Sequence, residues 1–186
     1  MPKKAAIFLD RDGVIIRDVH HLRHEKQLRL LPGAAKALRG LVLAGWPLVI
    51  ISNQGAVAKG LMSKEKMYEI DNILQVRLAQ KGVKLAAAHY CPHHPRGTVQ
   101  EHTRKCFCRK PNPGMFLRAA AELNINLKKS YTIGDKTGDI LAGKRAGTRT
   151  ILVKTGYGGK DRIYEVEPDY VARNLMAAAR IITKHA

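Results

Sequence analysis

The chain has 186 residues, 45% hydrophobic and 26% charged, which suits one folded domain and excludes a disordered chain. No apolar run approaches the ~20 residues that span a bilayer. The basic-then-apolar start at 1–9 is too short for a secretory leader and runs straight into Asp10, so a cytoplasmic location is expected. The formal net charge of +18 fits steering of an anionic substrate, nucleic-acid binding or simply a basic proteome. The charges are dispersed, however, with no long Lys/Arg block and few aromatics to stack bases.

Short apolar runs alternate with helical ones, the signature of a parallel sheet with crossover helices. The fold class expected is therefore α/β: one Rossmann-like domain, a central parallel sheet flanked by helices, without repeat or second domain. The first strand, 5–9, ends in Asp10-Arg11-Asp12-Gly13. In an open α/β sheet, ligands bind beyond the carboxyl ends of the strands. There one carboxylate can attack phosphorus while a second, two positions on, shuttles the proton. The alternative is a solvated strand-end turn. An irregular His- and Arg-rich segment, 17–31, leads to a helix over 33–44.

The second strand, 47–51, runs into Ser52-Asn53-Gln54-Gly55, which offers a hydroxyl, amides and free N–H groups to phosphate oxygens and is also ordinary turn chemistry. A helix over 63–80 follows, with Ser63 as its N-cap and Glu65 facing the helix dipole. After a third strand at 85–90 comes 91–113, too long for a plain connection. All three cysteines lie in it, in the pattern C-x-H…C-x-C. Such a set closes a tetrahedral Zn²⁺ site with no open position, which makes the metal structural. The spacing does not choose between His93 and His94; free thiols are the alternative, and the odd count disfavours disulfides.

Arg109-Lys110-Pro111 places two cations before a proline, and Pro113 suits the first turn of a helix over 113–123. The strand at 130–133 ends in Gly134-Asp135-Lys136, where a carboxylate can complete the oxygen shell of Mg²⁺. Asp139 reads as an acid at the N-terminus of a helix over 139–146. A strand at 150–153 and a helix over 173–184 complete the pattern.

The segments Asp10-Arg11-Asp12-Gly13, Ser52-Asn53-Gln54, Arg109-Lys110-Pro111 and Gly134-Asp135-Lys136, in this order, resemble the four motifs of the haloacid-dehalogenase-like phosphatases. That resemblance implies Asp10 as nucleophile, Asp12 as acid and base, and Ser52 and Lys110 on the phosphoryl oxygens. It also implies Mg²⁺ held by Asp10, the Asp12 carbonyl and Asp135, substrate contacts from Asn53 and Gln54, and Lys136 orienting Asp10. About forty residues separate the first two motifs, room for one βα crossover and no cap domain. Specificity then falls to the loops 17–31, 54–59 and about 91–110.

The last of these, from Cys91-Pro92-His93-His94-Pro95 through Cys106-Phe107-Cys108 to Pro113-Gly114-Met115, resembles the zinc loop of bacterial heptose 1,7-bisphosphate 7-phosphatases. The resemblance implies zinc on Cys91, His93, Cys106 and Cys108, Arg109 as a substrate contact, and a small phosphorylated sugar as substrate. Histidinol-phosphate phosphatases, with a related and typically shorter loop, are the alternative. One departure falls in the specificity loop. After Asp18 the chain reads Val19-His20-His21 where that family usually has His-Gly-Tyr, at substrate-contacting positions, which leaves the sugar and anomer open. His20, His21 and His24 read either as an exposed His-rich loop or as phosphate or metal contacts. A rival of another class is a basic nucleic-acid-binding module with a vestigial site; intact Asp10, Asp12, Lys110 and Asp135 stand against it. With no heptads, a monomer without membrane partner is expected.

Overall fold

The computed structural model describes residues 2–185. Six strands form one wholly parallel sheet in the order β3-β2-β1-β4-β5-β6. They are β1 (Ile7–Leu9), β2 (Leu48–Asn53), β3 (Ala87–Cys91), β4 (Tyr131–Gly134), β5 (Arg149–Val153) and β6 (Tyr170–Ala172). The helices are α1 (Ala34–Leu43), α2 (Lys64–Ala79), α3 (Gly114–Glu122), α4 (Thr137–Ala146) and α5 (Leu175–Lys184). The chain winds from β1 outward to β3, then returns to lay β4 on the other side of β1. The crevice at that reversal, beyond the ends of β1 and β4, is where such sheets bind ligands.

Side-chain alternation along the strands builds two cores. Ile7 and Leu9 of β1, Leu48 and Ile50 of β2 and Ile151 and Val153 of β5 face α1, α2 and α5. Phe8, Val49 and Ile51 face the other way, onto Met115, Phe116 and Ala119 of α3 and Ala142 and Ala146 of α4. Both sheet faces are covered, so the central strands read as continuous apolar runs. Helix periodicity matches: Ala34, Ala37, Leu38 and Leu41 form the buried stripe of α1, and Leu175, Ala178, Ala179 and Ile182 that of α5. Each fully buried Leu or Ile contributes about 1.5–3 kcal/mol, which anchors the strand ends that carry the polar groups.

The expected α/β architecture is present; β3 (Ala87–Cys91) and α5 (Leu175–Lys184) start two residues later than expected, and three further differences concern β6, α4 and α3. The sheet has a sixth strand, β6, which carries no apolar run because Val171 is exposed and Ala172 alone of the three is buried. Helix α4 starts at Thr137 rather than 139, and Pro113 is the N-cap of α3 rather than a first-turn residue. Ser63 caps α2 as expected, its hydroxyl accepting from the Lys66 N–H at 3.1 Å. Among the described residues no helix is long and apolar enough to cross a membrane.

Candidate active site

Four chain segments converge at the crevice. Asp10 leaves β1, Asn53 ends β2, Lys110 arrives from the cysteine loop, and Asp135 leaves β4. The Lys110 ammonium is buried and donates to Asp10 Oδ1 at 2.7 Å and to the Ile51 carbonyl at 2.8 Å, with Asp139 Oδ1 at 2.6 Å. Burial alone would lower its pKa, but Asp10 and Asp139 outweigh that and raise it. Asn53 fixes the lysine from behind, its side-chain amide donating to the Lys110 carbonyl and accepting from the Lys110 N–H, both at 3.0 Å.

Oxygens of Asp10, Asp135 and Asp139, all three buried, lie within 4.8 Å of one another. Burial, then Asp139 and Asp10, pushes Asp135 up to about 8. Its Oδ2 accepts from the Tyr157 N–H at 2.7 Å, whereas its Oδ1 is buried without a hydrogen-bond partner. Gly13 and Gly156 flank this carboxylate with positive φ, and a Cβ on either would collide with it. An orphaned oxygen in a cradle of crowded acids fits a divalent cation with carboxylate ligands.

Asp12 is held from the side. Arg11, 1% exposed, grips its carboxylate with Nε and Nη2 at 2.9–3.2 Å and donates to Gln54 Oε1 at 2.8 Å. Gln54 Nε2 in turn donates to Asp12 Oδ2 and to Ser52 Oγ, each at 3.0 Å. The Arg11 guanidinium also lies 5.8 Å from the Tyr90 ring centre, and Tyr90 donates its hydroxyl hydrogen to Asp71.

At the cysteine loop, Cys91, Cys106 and Cys108 Sγ are 3.2–3.5 Å apart, and His93 Nδ1 lies 3.4 Å from Cys108 Sγ. Tetrahedral zinc with ~2.3 Å bonds to sulfur spaces its ligands at about 3.8 Å, so this donor set suits the ion after slight expansion. The hydrogen bond from Cys91 pushes the Cys108 thiol down to about 5 against the opposing effect of burial, while Cys91 and Cys106 are pushed up. His94 faces elsewhere, its Nδ1 accepting from the Arg96 N–H at 3.0 Å. The loop closes over the site through Arg109, which donates to the His93 carbonyl at 2.9 Å.

A cavity of about 430 Å³ opens above these groups, lined by Asp12, Lys110 and Asp139 and by His21, Lys59 and Arg109 among others. Asp18 reaches it through an ion pair with Lys136 at 2.9 Å, and the Lys136 ammonium sits 4.5 Å from the Tyr157 ring centre. Lys136 therefore bonds to the specificity loop, and the lysine hydrogen-bonded to Asp10 is Lys110. Asn53 and Gln54 are likewise committed to protein partners. Asp139 is a helix-end acid as expected, accepting from the Asp135 and Lys136 N–H groups at 3.2 and 3.1 Å, and it also pairs with Lys110. Sequence reasoning passed over Arg11 and the 155–159 segment, and took Lys59 only as the end of a specificity loop. The three glycines among residues 156–159 were the available signal for that segment.

Paired acids after β1, a hydroxyl at the end of β2, a buried lysine and further acids after β4 define a haloacid-dehalogenase-like hydrolase, and a family profile described as "HAD-hyrolase-like" matches residues 107–178. The chain is 42% identical over 154 residues to the D-glycero-beta-D-manno-heptose-1,7-bisphosphate 7-phosphatase of Pasteurella multocida strain Pm70, covering 82% of this chain and 83% of that one. It is 35% identical to the D-glycero-alpha-D-manno-heptose-1,7-bisphosphate 7-phosphatase of Photorhabdus laumondii, covering 94% of each. Among solved structures, the D,D-heptose 1.7-bisphosphate phosphatase from B. bronchiseptica, complexed with magnesium and phosphate, matches with a TM-score of 0.87 and 31% identity over 98% of this chain and 99% of that one. The chain belongs to the heptose-1,7-bisphosphate 7-phosphatase family of these hydrolases.

Proposed function

We propose that this chain is a phosphomonoesterase that removes the 7-phosphate of D-glycero-D-manno-heptose 1,7-bisphosphate. The observation that carries the reading is three buried carboxylates, Asp10, Asp135 and Asp139, with oxygens within 4.8 Å of one another, two of them paired with the Lys110 ammonium. Such a site lacks positive charge until a divalent cation and a phosphoryl group arrive together. Asp10, the Asp12 carbonyl and Asp135 would hold Mg²⁺, which when bound masks the repulsion between an anionic nucleophile and an anionic substrate.

Asp10 attacks phosphorus in line, forming an aspartyl-phosphate as the bond to the sugar oxygen breaks. Asp12 gives that leaving oxygen its proton, then takes one from the water that attacks the phosphoryl group and restores Asp10. Lys110 and Ser52 bind the equatorial oxygens as charge spreads over them. Asp12 reaches the leaving oxygen from the position in which Arg11 and Gln54 hold it. Arg109, Asp18, His20 and His21 border the sugar and its second phosphate. Cys91, His93, Cys106 and Cys108 would hold zinc, which would stiffen the loop that carries Arg109. The product, a heptose 1-phosphate, is the form a nucleotidyl transfer consumes, which places the reaction in ADP- or GDP-heptose synthesis in the cytoplasm.

The test is kcat/KM for phosphate release, with Mg²⁺, from both anomers of heptose 1,7-bisphosphate and from histidinol phosphate. A preference of about a hundredfold for a heptose anomer, about 2.7 kcal/mol of transition-state discrimination, is expected. Faster turnover of histidinol phosphate would overturn the substrate assignment.

A further inference from the structure

The cations of the cavity fall into two groups. Arg11, Lys110 and Lys136 each lie within 4 Å of a carboxylate: Asp12, Asp10 with Asp139, and Asp18. Among the described residues no carboxylate lies that close to Lys59, Arg96 or Arg109, which line the same cavity. The carboxylates that line it are engaged elsewhere, Asp161 by the Thr137 N–H and hydroxyl and the other three by the cations just named. Around the chemistry each cation of the cavity is thus paired with a carboxylate, and another part holds cations free to meet an incoming anion.

Lys59 is the best positioned of these. It sits on a turn after β2 that is laced to the cysteine loop, the Ala58 carbonyl accepting from the Thr98 and Val99 N–H groups at 2.7 and 3.0 Å. Its one hydrogen-bond partner of note is unusual for an ammonium: His21 Nε2, at 3.4 Å. Lysine has only donors, so Nε2 accepts and the ring is neutral. The fold delivers His21, from the 17–31 loop, to this cation.

Resting on the phosphatase reading above, we propose that Lys59 and His21 determine specificity by jointly engaging the remote phosphate of a bisphosphorylated substrate. The anion displaces the lysine–histidine hydrogen bond. Lys59 then donates to a phosphate oxygen, and His21, having taken one proton from water, donates from Nε2 to another. Charge-assisted bonds to phosphate replace one long contact between neighbours that repel once both are charged.

The electrostatics set the pH dependence. Free His21 titrates below the ordinary imidazole range, through partial burial, then Lys59, Arg23 and His20, with Asp18 opposing them. A bound dianion adds the charge these cations lack and raises it. The gain from His21 is therefore fully present below its free pKa and is lost as pH rises through its bound pKa.

The experiment compares heptose 1,7-bisphosphate with heptose 7-phosphate, which lacks the remote group but keeps the same leaving oxygen. Selectivity, the ratio of their kcat/KM values, is measured from about pH 5.5 to about 8.5 in the Mg²⁺-loaded wild type, H21Q and K59Q. Each variant is referred to its own monophosphate rate, so partial loss of folded enzyme cancels. The phosphate's own ionisation near about pH 6 acts alike in wild type and H21Q.

The wild-type ratio is expected to rise about tenfold from alkaline to acid pH beyond the change seen in H21Q, the effect of about one unit in the His21 pKa. K59Q is expected to lower the ratio by about tenfold or more throughout. An H21Q slope equal to wild type, or an unchanged ratio in K59Q, overturns the inference. Turnover of both substrates without selectivity would overturn it while leaving the phosphatase standing. No turnover of either by the wild type would refute the phosphatase itself and this inference with it.

Discussion

Asn53 and Lys110, far apart in the chain, hold each other by two reciprocal hydrogen bonds of 3.0 Å, amide to carbonyl and N–H to amide oxygen. The end of β2 thereby sets the backbone from which the Lys110 ammonium reaches Asp10. Asn53→Ala removes both bonds and leaves two half-buried main-chain groups without partners. The expected cost is about 1–3 kcal/mol of stability, with kcat down by about ten- to a hundredfold as Lys110 shifts. Thermal melts and steady-state kinetics check this. A variant with normal kcat would mean that Lys110 is placed by other contacts.

Asp139 does two jobs, accepting from the N–H groups of Asp135 and Lys136 with one oxygen and pairing with Lys110 through the other. Asp139→Asn can keep an acceptor for the helix end but turns a donor or a neutral oxygen toward the ammonium. Lys110 is then neutralised by Asp10 alone, at the expense of the nucleophile. We expect kcat to fall by about a hundredfold, the scale of losing one aligned charge in an active site, with a small change in Tm. A large Tm drop with near-normal kcat would reverse this ranking of the two jobs.

Those two residues illustrate how far the sequence could be read. The central strands were legible because they are buried on both faces and so appear as short apolar runs, ending in the polar residues of the site. β6 was not, since an edge strand with Val171 exposed has neither run nor alternation. Asp139 was legible as a helix-end acid, a local property; its pairing with Lys110 depends on the chain crossing back from the cysteine loop. Arg11 had the look of a surface charge within a motif. It is buried because Asp12, Gln54 and Tyr90 meet it from three separate strands' ends. Lys136 was expected to orient Asp10; its hydrogen bond goes to Asp18, on a loop whose path no periodicity predicts, while Asp10 still acts on its ammonium by charge.

That Asp18–Lys136 pair tethers the 17–31 loop to the end of β4. Burial works against the Asp18 carboxylate, but the hydrogen bond and charge of Lys136 prevail and lower its pKa. A carboxylate depressed on folding contributes stability above its unfolded pKa and loses it only as pH falls through the lower folded value. The tether therefore holds across the neutral range. Asp18→Asn is expected to raise KM about tenfold by the same factor at about pH 6 and about pH 8, unlike the pH-dependent effect at His21. A KM effect that changed with pH in this window would place another titrating group at the tether.

The cysteine loop links metal content to specificity. Cys106→Ser removes one of four donors whose closed set suits zinc. Metal analysis should find bound zinc largely lost, and Tm should fall by on the order of 5 °C because the ion's binding energy is also folding energy. Arg109, whose guanidinium rests on the His93 carbonyl, would lose its support, so KM for the bisphosphate should rise more than KM for the monophosphate. Full zinc content in the variant would exclude Cys106 as a ligand.

Magnesium should act most strongly at alkaline pH, and the reason lies in Asp135. Without a cation this carboxyl is pushed up to about 8, far above the ordinary carboxylate range, so the folded chain holds a proton that the unfolded chain has released. Stability of the metal-free protein then falls as pH rises from that ordinary range toward about 8. The ion must displace the same proton to bind, so its affinity climbs over the same interval and levels off above it. Melts with a chelator and with excess Mg²⁺ should show a stabilisation that is larger at about pH 8 than at about pH 6, and chelation should abolish turnover reversibly. Equal stabilisation at the two pH values would mean that the ion is held by groups already ionised at the lower one, and that Asp135 is not among its ligands.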